Sequence, residues 1–385
     1  MLPHGGFVGF MIEDEQGQYP MCAHLADCDT ARPTAHIHAI GTAVPDHDVH
    51  DAFVDWASAR LATPRERRLF QRMESRSGID HRWSVLPPGR DGRSPIDHGG
   101  FYNGNRLPPT SARMALYAAA APELALAAIA ALGRKTSLDD ITHLVVASCT
   151  GFVAPGIDQI IARRLGLDPG VERTLVGFMG CYAAVAALRV AHYVARSDPA
   201  ARVLVVTVEL STLHLVDTHE LEPLLAMLQF ADGAAAAMVS AAPSPLAIRR
   251  FFSANVPDSE ELIRWTIGDE GFEMHLSGEV PGRIAGALRD PDTRERLLDG
   301  RSATDIRWAV HAGGRSVLDA VETAFGLPGD ALAASRSVLA RFGNMSSATL
   351  MFVLSDLMDG ADVDEGVALA FGPGLAAEGF AFGSA

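Results

Sequence analysis

The sequence predicts a layered α/β protein built from two similar halves. Three observations carry this. Residues 142–148 and 202–208 are continuous apolar runs, the pattern of strands buried on both faces. Helical stretches lie between such runs, as parallel neighbours in a sheet require. A second, shorter strand–helix series spans residues 307–371, so the chain divides near residue 245. With 385 residues, 48% of them hydrophobic, both halves can bury a core.

Residues 1–35 are weakly patterned and rich in Gly, Asp and His, and read as a weakly ordered N-terminal extension. A strand is expected over 36–41, followed by a turn ending at Pro45. Thr63 and Pro64 open a helix over 64–76 as N-cap and first position. Residues 87–109 form a Pro/Gly-rich loop, and 111–132 a long Ala-rich helix. Strand 142–148, helix 158–165, strand 173–178, helix 182–196 and strands 202–208 and 233–239 follow. The second half offers strand 307–310, helices 315–325 and 346–357, and strand 366–371. The halves are placed at 36–245 and 246–385.

Composition narrows the function. A formal charge of −15 opposes general binding to nucleic acid or anionic membrane, so an anionic substrate needs a local basic patch. Lys135 is the single lysine and lies in no phosphate-loop string, which excludes that motif and disfavours Schiff-base chemistry. Cys22, Cys28, Cys149 and Cys181 form no C-x-x-C pair, so a zinc ribbon is excluded, and no metal site is expected. No secretory leader is evident, which points to a cytoplasmic protein with reduced cysteines. The apolar stretches 180–194 and 234–248 are broken by Arg189 and His192 and by two prolines, so no membrane span is expected.

Three residues at element boundaries carry the chemistry. Cys181 follows Gly180 at a strand-to-helix junction, where the helix dipole and free N–H groups favour a thiolate. Taken singly, it also fits a buried small hydrophobe. His311 ends a strand before Ala312-Gly313-Gly314, and Asn344 precedes a helix, where Asn is also a good N-cap.

The order Gly180-Cys181, His311-Ala312-Gly313-Gly314, Gly343-Asn344-Met345-Ser346-Ser347 and Phe371-Gly372-Pro373-Gly374-Leu375 resembles a type III polyketide synthase of the chalcone and stilbene synthase family. The resemblance covers about residues 36–379. It implies a thiolase-like αβαβα fold and a homodimer. It also implies catalysis by Cys181, His311 and Asn344 on acyl-CoA and malonyl-CoA. Cys181 takes the acyl group as a thioester, held as a thiolate–imidazolium pair with His311. His311 and Asn344 stabilise the enolate left when malonyl-CoA loses CO2, and that enolate attacks the thioester. No cofactor is implied, because the CoA thioesters are substrates.

Arg65, Arg68, Arg72 and Arg76 fall on one helix face and offer the basic patch that CoA needs. The resemblance assigns CoA contacts to Arg72, Arg76, Gly313 and Gly314, with Leu69 standing where the family has a further basic residue. It makes Phe230 and Met274 the gates of the channel. Ser211, Leu213, His214, Trp265, Ser346 and Cys149 are implied pocket positions, and Ala154 stands where the partner subunit's Met is expected. Trp265 replaces a glycine of the plant enzymes, and His214 is also large. Both predict a small cavity, few extensions and a pyrone or other short product. An alternative for Trp265 is that it turns away as ordinary core. Two other readings stay open: a ketoacyl synthase III-like enzyme using acyl carrier protein, and a non-catalytic scaffold of the same fold.

Overall fold

The computed structural model describes residues 33–90, 94–104, 106–360 and 365–384. Nearly all of the expected 1–35 extension, with Cys22 and Cys28, lies outside the described residues; β1 opens at Ala35.

The first half runs β1 (Ala35–Ala43), β2 (His47–Asp48), α1 (His50–Arg60), α2 (Pro64–Glu74), β3 (Trp83–Ser84), α3 (Thr110–Gly133), β4 (His143–Ser148), α4 (Ile157–Leu165), β5 (Glu172–Gly177), α5 (Ala183–Ser197), β6 (Arg202–Leu210), α6 (Leu221–Met227) and β7 (Asp232–Ser240). The second runs β8 (Leu246–Asn255), β9 (Ile263–Gly268), β10 (Gly271–Leu276), α7 (Val280–Arg289), α8 (Pro291–Leu298), β11 (Arg307–Val310), α9 (Arg315–Phe325), α10 (Ala333–Phe342), α11 (Ser347–Met358), β12 (Glu365–Gly372) and β13 (Ala376–Gly383). The expected elements appear with ends moved by a few residues at most, the usual fraying of such boundaries.

The duplication is visible in the pairing. β4 lies parallel to β6, and β7 runs antiparallel to both β6 and β1. β11, β12, β13 and β8 repeat that order and those directions. β1 joins the two sets through β8, giving one sheet of nine strands with β5 at one edge.

Side-chain alternation builds the layers. In β4, Val145 and Ala147 face α5 and α11, whereas Leu144 and Val146 face α3. In β12, Ala368 and Ala370 face the same central helices, and Val367 and Leu369 face α9 on the far side. Strands covered on both faces must be apolar throughout, which is why they read as unbroken runs. In the α5–α11 layer between the strand sets, α5 is rich in alanine, and its small side chains leave room for the larger Leu, Met and Phe of α11. α3 is long and apolar enough to cross a membrane, yet here Ala121, Ala125, Ala128 and Leu132 pack it onto β6 and β7.

Candidate active site

β5 ends at Gly177, and a tight turn delivers Cys181 to the start of α5. Gly180 in that turn has φ 71°, and a Cβ there would sit 2.3 Å from Pro373 Cδ. Only glycine lets the turn pack against the Gly372-Pro373-Gly374 string. The Gly180 N–H donates to Cys149 Sγ at 2.9 Å.

His311 leaves β11 with its N–H donating to the Leu369 carbonyl at 2.8 Å. Asn344 lies in the link from α10 to α11, opened by Gly343 at φ 70°. Its backbone forms a parallel bridge with Phe230: Asn344 N–H donates to Gln229 O at 2.8 Å, and Ala231 N–H to Asn344 O at 2.9 Å. The side chain is oriented too, with Oδ1 accepting the Ser346 N–H at 2.9 Å and Nδ2 donating to Gly313 O at 3.2 Å. Ser346, not Asn344, is the N-cap of α11. Cys181, His311 and Asn344 line one chamber of about 510 Å³. Glu209, wholly buried, accepts from Cys149 N–H and Thr150 Oγ1 and also from Ser347 Oγ. It thereby ties the strand end behind Cys181 to the start of α11.

Burial dominates the electrostatics. It pushes the Cys181 thiol up to about 12, against hydrogen bonds from Ser346 and Asn344 that favour the thiolate. It also drives His311 down to about 3, and neither ring nitrogen has a hydrogen-bond partner. The helix start favours a thiolate, and burial of the sulfur opposes it. A neutral imidazole with a free nitrogen is nonetheless the group able to take the thiol proton when a thioester arrives. The Asn344 amide then stands beside the sulfur as a donor for negative charge on a carbonyl oxygen.

Two further spaces adjoin the chamber. Outward lies a groove lined by Arg72, Arg76 and Arg315, which shares Met73, Leu225, Gln229 and Ser316 with the chamber; Arg65 and Arg68, expected in the CoA patch, do not line it, which corrects that expectation. Inward, beyond Phe230 and Met274, lies a cavity of about 170 Å³; those two side chains line both spaces. Its far wall is aromatic. Trp265 Nε1 donates to the Cys149 carbonyl at 3.0 Å, and His214 Nε2 donates to the Thr150 carbonyl at 2.7 Å. His214 Nδ1 accepts the Phe272 N–H at 3.0 Å, and its ring stacks on Phe272 with centroids 4.2 Å apart. Burial lowers His214 to about 3, so it is a neutral wall residue. Its bonded indole holds Trp265 at the cavity, which disposes of the reading in which it turns away.

The structure brings Cys181, His311, Asn344, Phe230, Met274 and Gly313 to the chamber, and Ser211, His214 and Trp265 to the inner cavity. Ser346 reaches the sulfur of Cys181. Two pocket expectations are corrected. Leu213 is fully buried in the core beneath α3, and Cys149 is buried behind the Gly180 turn, so neither lines the cavities. Gly314 is the N-cap of α9, where a Cβ would meet Gln229 Oε1. Ala154 is exposed in the loop before α4. Sequence reasoning missed Phe272 and Arg315. Arg315 left a signal: a cation at the first position of a helix opposes the dipole and needs another reason to be there.

Comparisons with known proteins agree with this geometry. Residues 24–243 match the family described as chalcone and stilbene synthases, N-terminal domain, and residues 248–385 match the corresponding C-terminal domain. The alpha-pyrone synthesis polyketide synthase-like Pks18 of Mycobacterium tuberculosis is 34% identical over 379 residues, covering 93% of this chain and 94% of that protein. Bisdemethoxycurcumin synthase of Oryza sativa subsp. japonica is 37% identical over 298 residues, 70% of this chain and 72% of that protein. Among solved structures, the C-terminal type III polyketide synthase domain of Steely1, a type I/III hybrid from Dictyostelium, superposes with a TM-score of 0.81 at 28% identity, over 91% of this chain and 99% of that one. CsyB complexed with CoA-SH gives 0.80 at 25% identity, over 91% and 100%. The chain is a member of the chalcone and stilbene synthase family, with the thiolase-like fold of the type III polyketide synthases.

Proposed function

We propose that this polyketide synthase loads an acyl group from acyl-CoA onto Cys181 and extends it a few times with malonyl-CoA, releasing a pyrone or another short polyketide. The observation that carries the reading is that the arginine-lined groove and a small inner cavity both adjoin the chamber of Cys181, His311 and Asn344 and share lining residues with it. The groove suits the phosphates of CoA, and the similar CsyB structure holds CoA-SH. The similar Pks18 is named for alpha-pyrone synthesis.

In loading, the Cys181 sulfur attacks the thioester carbonyl and His311 takes its proton. The bond from that carbonyl to the CoA sulfur breaks, and His311 returns the proton to the departing thiolate. Malonyl-CoA then loses CO2, and its electron pair becomes an enolate whose oxygen is held by His311 and Asn344. The enolate carbon attacks the Cys181 thioester, forming a C–C bond and freeing the sulfur. Nothing in this sequence of steps calls for a cofactor.

A homodimer is supported by the edge strand β5, which exposes Leu175 and at whose end, Gly177, stands the exposed Phe152. A reducing cytoplasmic setting is in keeping with the free thiols of Cys149 and Cys181.

Mass spectrometry of products from a panel of aliphatic and aromatic acyl-CoA starters with malonyl-CoA tests the reading. Short polyketides are expected from the native chain, and none from Cys181→Ala. Extension by Cys181→Ala would refute it.

A further inference from the structure

The solvent face of α2 carries more than a CoA site uses. Arg65, Arg68, Leu69, Arg72 and Met73 follow one another at i, i+3, i+4, i+7 and i+8, a single stripe, and Arg76 stands in the turn just past the helix end. Phe70 points the other way and is fully buried. All four arginines are exposed, and among the described residues none of them forms an ion pair. Two apolar side chains stand between them, Leu69 at 42% and Met73 at 45% exposure. Only Leu69, Arg72, Met73 and Arg76 reach the groove, where Arg315 adds a third guanidinium. Arg65 lies about 10 Å farther along the helix axis, at about 1.5 Å per residue, and Arg68 between. Neither lines the groove.

We infer that this stripe docks an acidic, helical carrier protein that presents an acyl group on phosphopantetheine, the arm passing down the same groove to Cys181. The inference rests on the polyketide synthase reading and deepens it by naming a second source of starter. Charge complementarity favours this occupant: a helix with acidic residues flanking an apolar centre matches Arg65, Arg68 and Arg76 around Leu69 and Met73. The net charge of −15 opposes every anionic partner alike, so docking depends on this local stripe and on the fit of an apolar centre to Leu69 and Met73. The transfer itself is thioester exchange. The Cys181 sulfur bonds the acyl carbonyl, the carbonyl bond to the pantetheine sulfur breaks, and the Cys181 proton passes through His311 to that sulfur, leaving the carrier as a free thiol.

The test uses the full chain with malonyl-CoA and two donors of the same octanoyl group, octanoyl-CoA and octanoyl acyl carrier protein. Arg65→Glu/Arg68→Glu is compared with the native chain at low and high salt. With the carrier donor, kcat/KM is expected to fall about tenfold or more in the variant, and the native value to fall steeply with salt. With octanoyl-CoA the variant should change by less than about twofold, which also shows that it folds. The inference is overturned by failure of the native chain to use the carrier donor, by equal losses with both donors, or by no loss with either. Failure of the native chain with octanoyl-CoA as well strikes the polyketide synthase reading.

Discussion

At the residue scale, the far wall of the inner cavity decides how much product can grow. Trp265 meets His214 and Phe272 edge-on, with centroids 5.4 Å and 5.9 Å away, and its N–H is bonded. Replacing the indole by hydrogen removes a rigid wall and opens volume where the chain must fold back. Trp265→Gly is expected to shift products by one or more extension units, read by mass spectrometry. Identical chain lengths would remove Trp265 from length control. The residue-level chemistry was legible because Cys181, His311 and Asn344 sit in short glycine-containing strings at element ends. The wall was only half legible. Phe272 contributes through a stacking partner 58 positions away in sequence, and no local pattern reports such a contact. Leu213 and Cys149 misled for the same reason: adjacency to pocket residues does not say which way a side chain faces.

At the element scale, α2 is a well-started helix with a capping box, Thr63 accepting from the Glu66 N–H while Glu66 accepts from the Thr63 N–H. Its rigidity fixes Arg72 at the groove, and Arg76 follows in the turn just past its end. Arg72→Glu places a carboxylate where phosphates are expected, so KM for acyl-CoA should rise about tenfold at low salt with kcat little changed, and the effect should shrink at high salt. An unchanged KM in steady-state kinetics would move the CoA site elsewhere. α2 could be read from Thr63 and Pro64 alone. β13 could not: Ala376–Gly383 is rich in Ala and Gly, weak strand formers, and is a strand because β12 and β8 pair with it on either side. α1 also went unread, having a Phe, a Trp, three alanines and a valine but no clean apolar stripe. The β9–β10 ribbon was hidden by exposed, mixed residues on a pair outside the large sheet.

At the scale of the whole molecule, the buried titratable groups set the pH range of stability. Burial lowers His50 to about 4 and both His214 and His311 to about 3, from an ordinary value of about 6.5. The unfolded chain binds an extra proton at each ring as pH falls from about 6.5 toward those values, so stability is lost in that window. Burial raises Glu209 to about 7 and Asp232 to about 6. Their contribution is complete below the ordinary carboxyl range and disappears as pH rises through about 6 to 7. Three rings against two carboxyls predict a thermal midpoint highest near about pH 6.5 and much lower at about pH 4. A midpoint that climbs on acidification would contradict this assignment. The duplicated strand order was foreseeable from two strand–helix series, but the single nine-stranded sheet was not, because it depends on the short β1–β8 contact at Ala35–Ile37. One rung of backbone has a wider reach. The Phe230–Asn344 bridge mounts the doorway of the inner cavity and the amide beside the sulfur on the same main chain. A change that reroutes the doorway there should drag the amide along, whereas Met274 rides a ribbon whose ties run to Cys149 and His214 rather than to the amide. Innovation in product size should therefore accumulate on the ribbon, while the rung stays frozen.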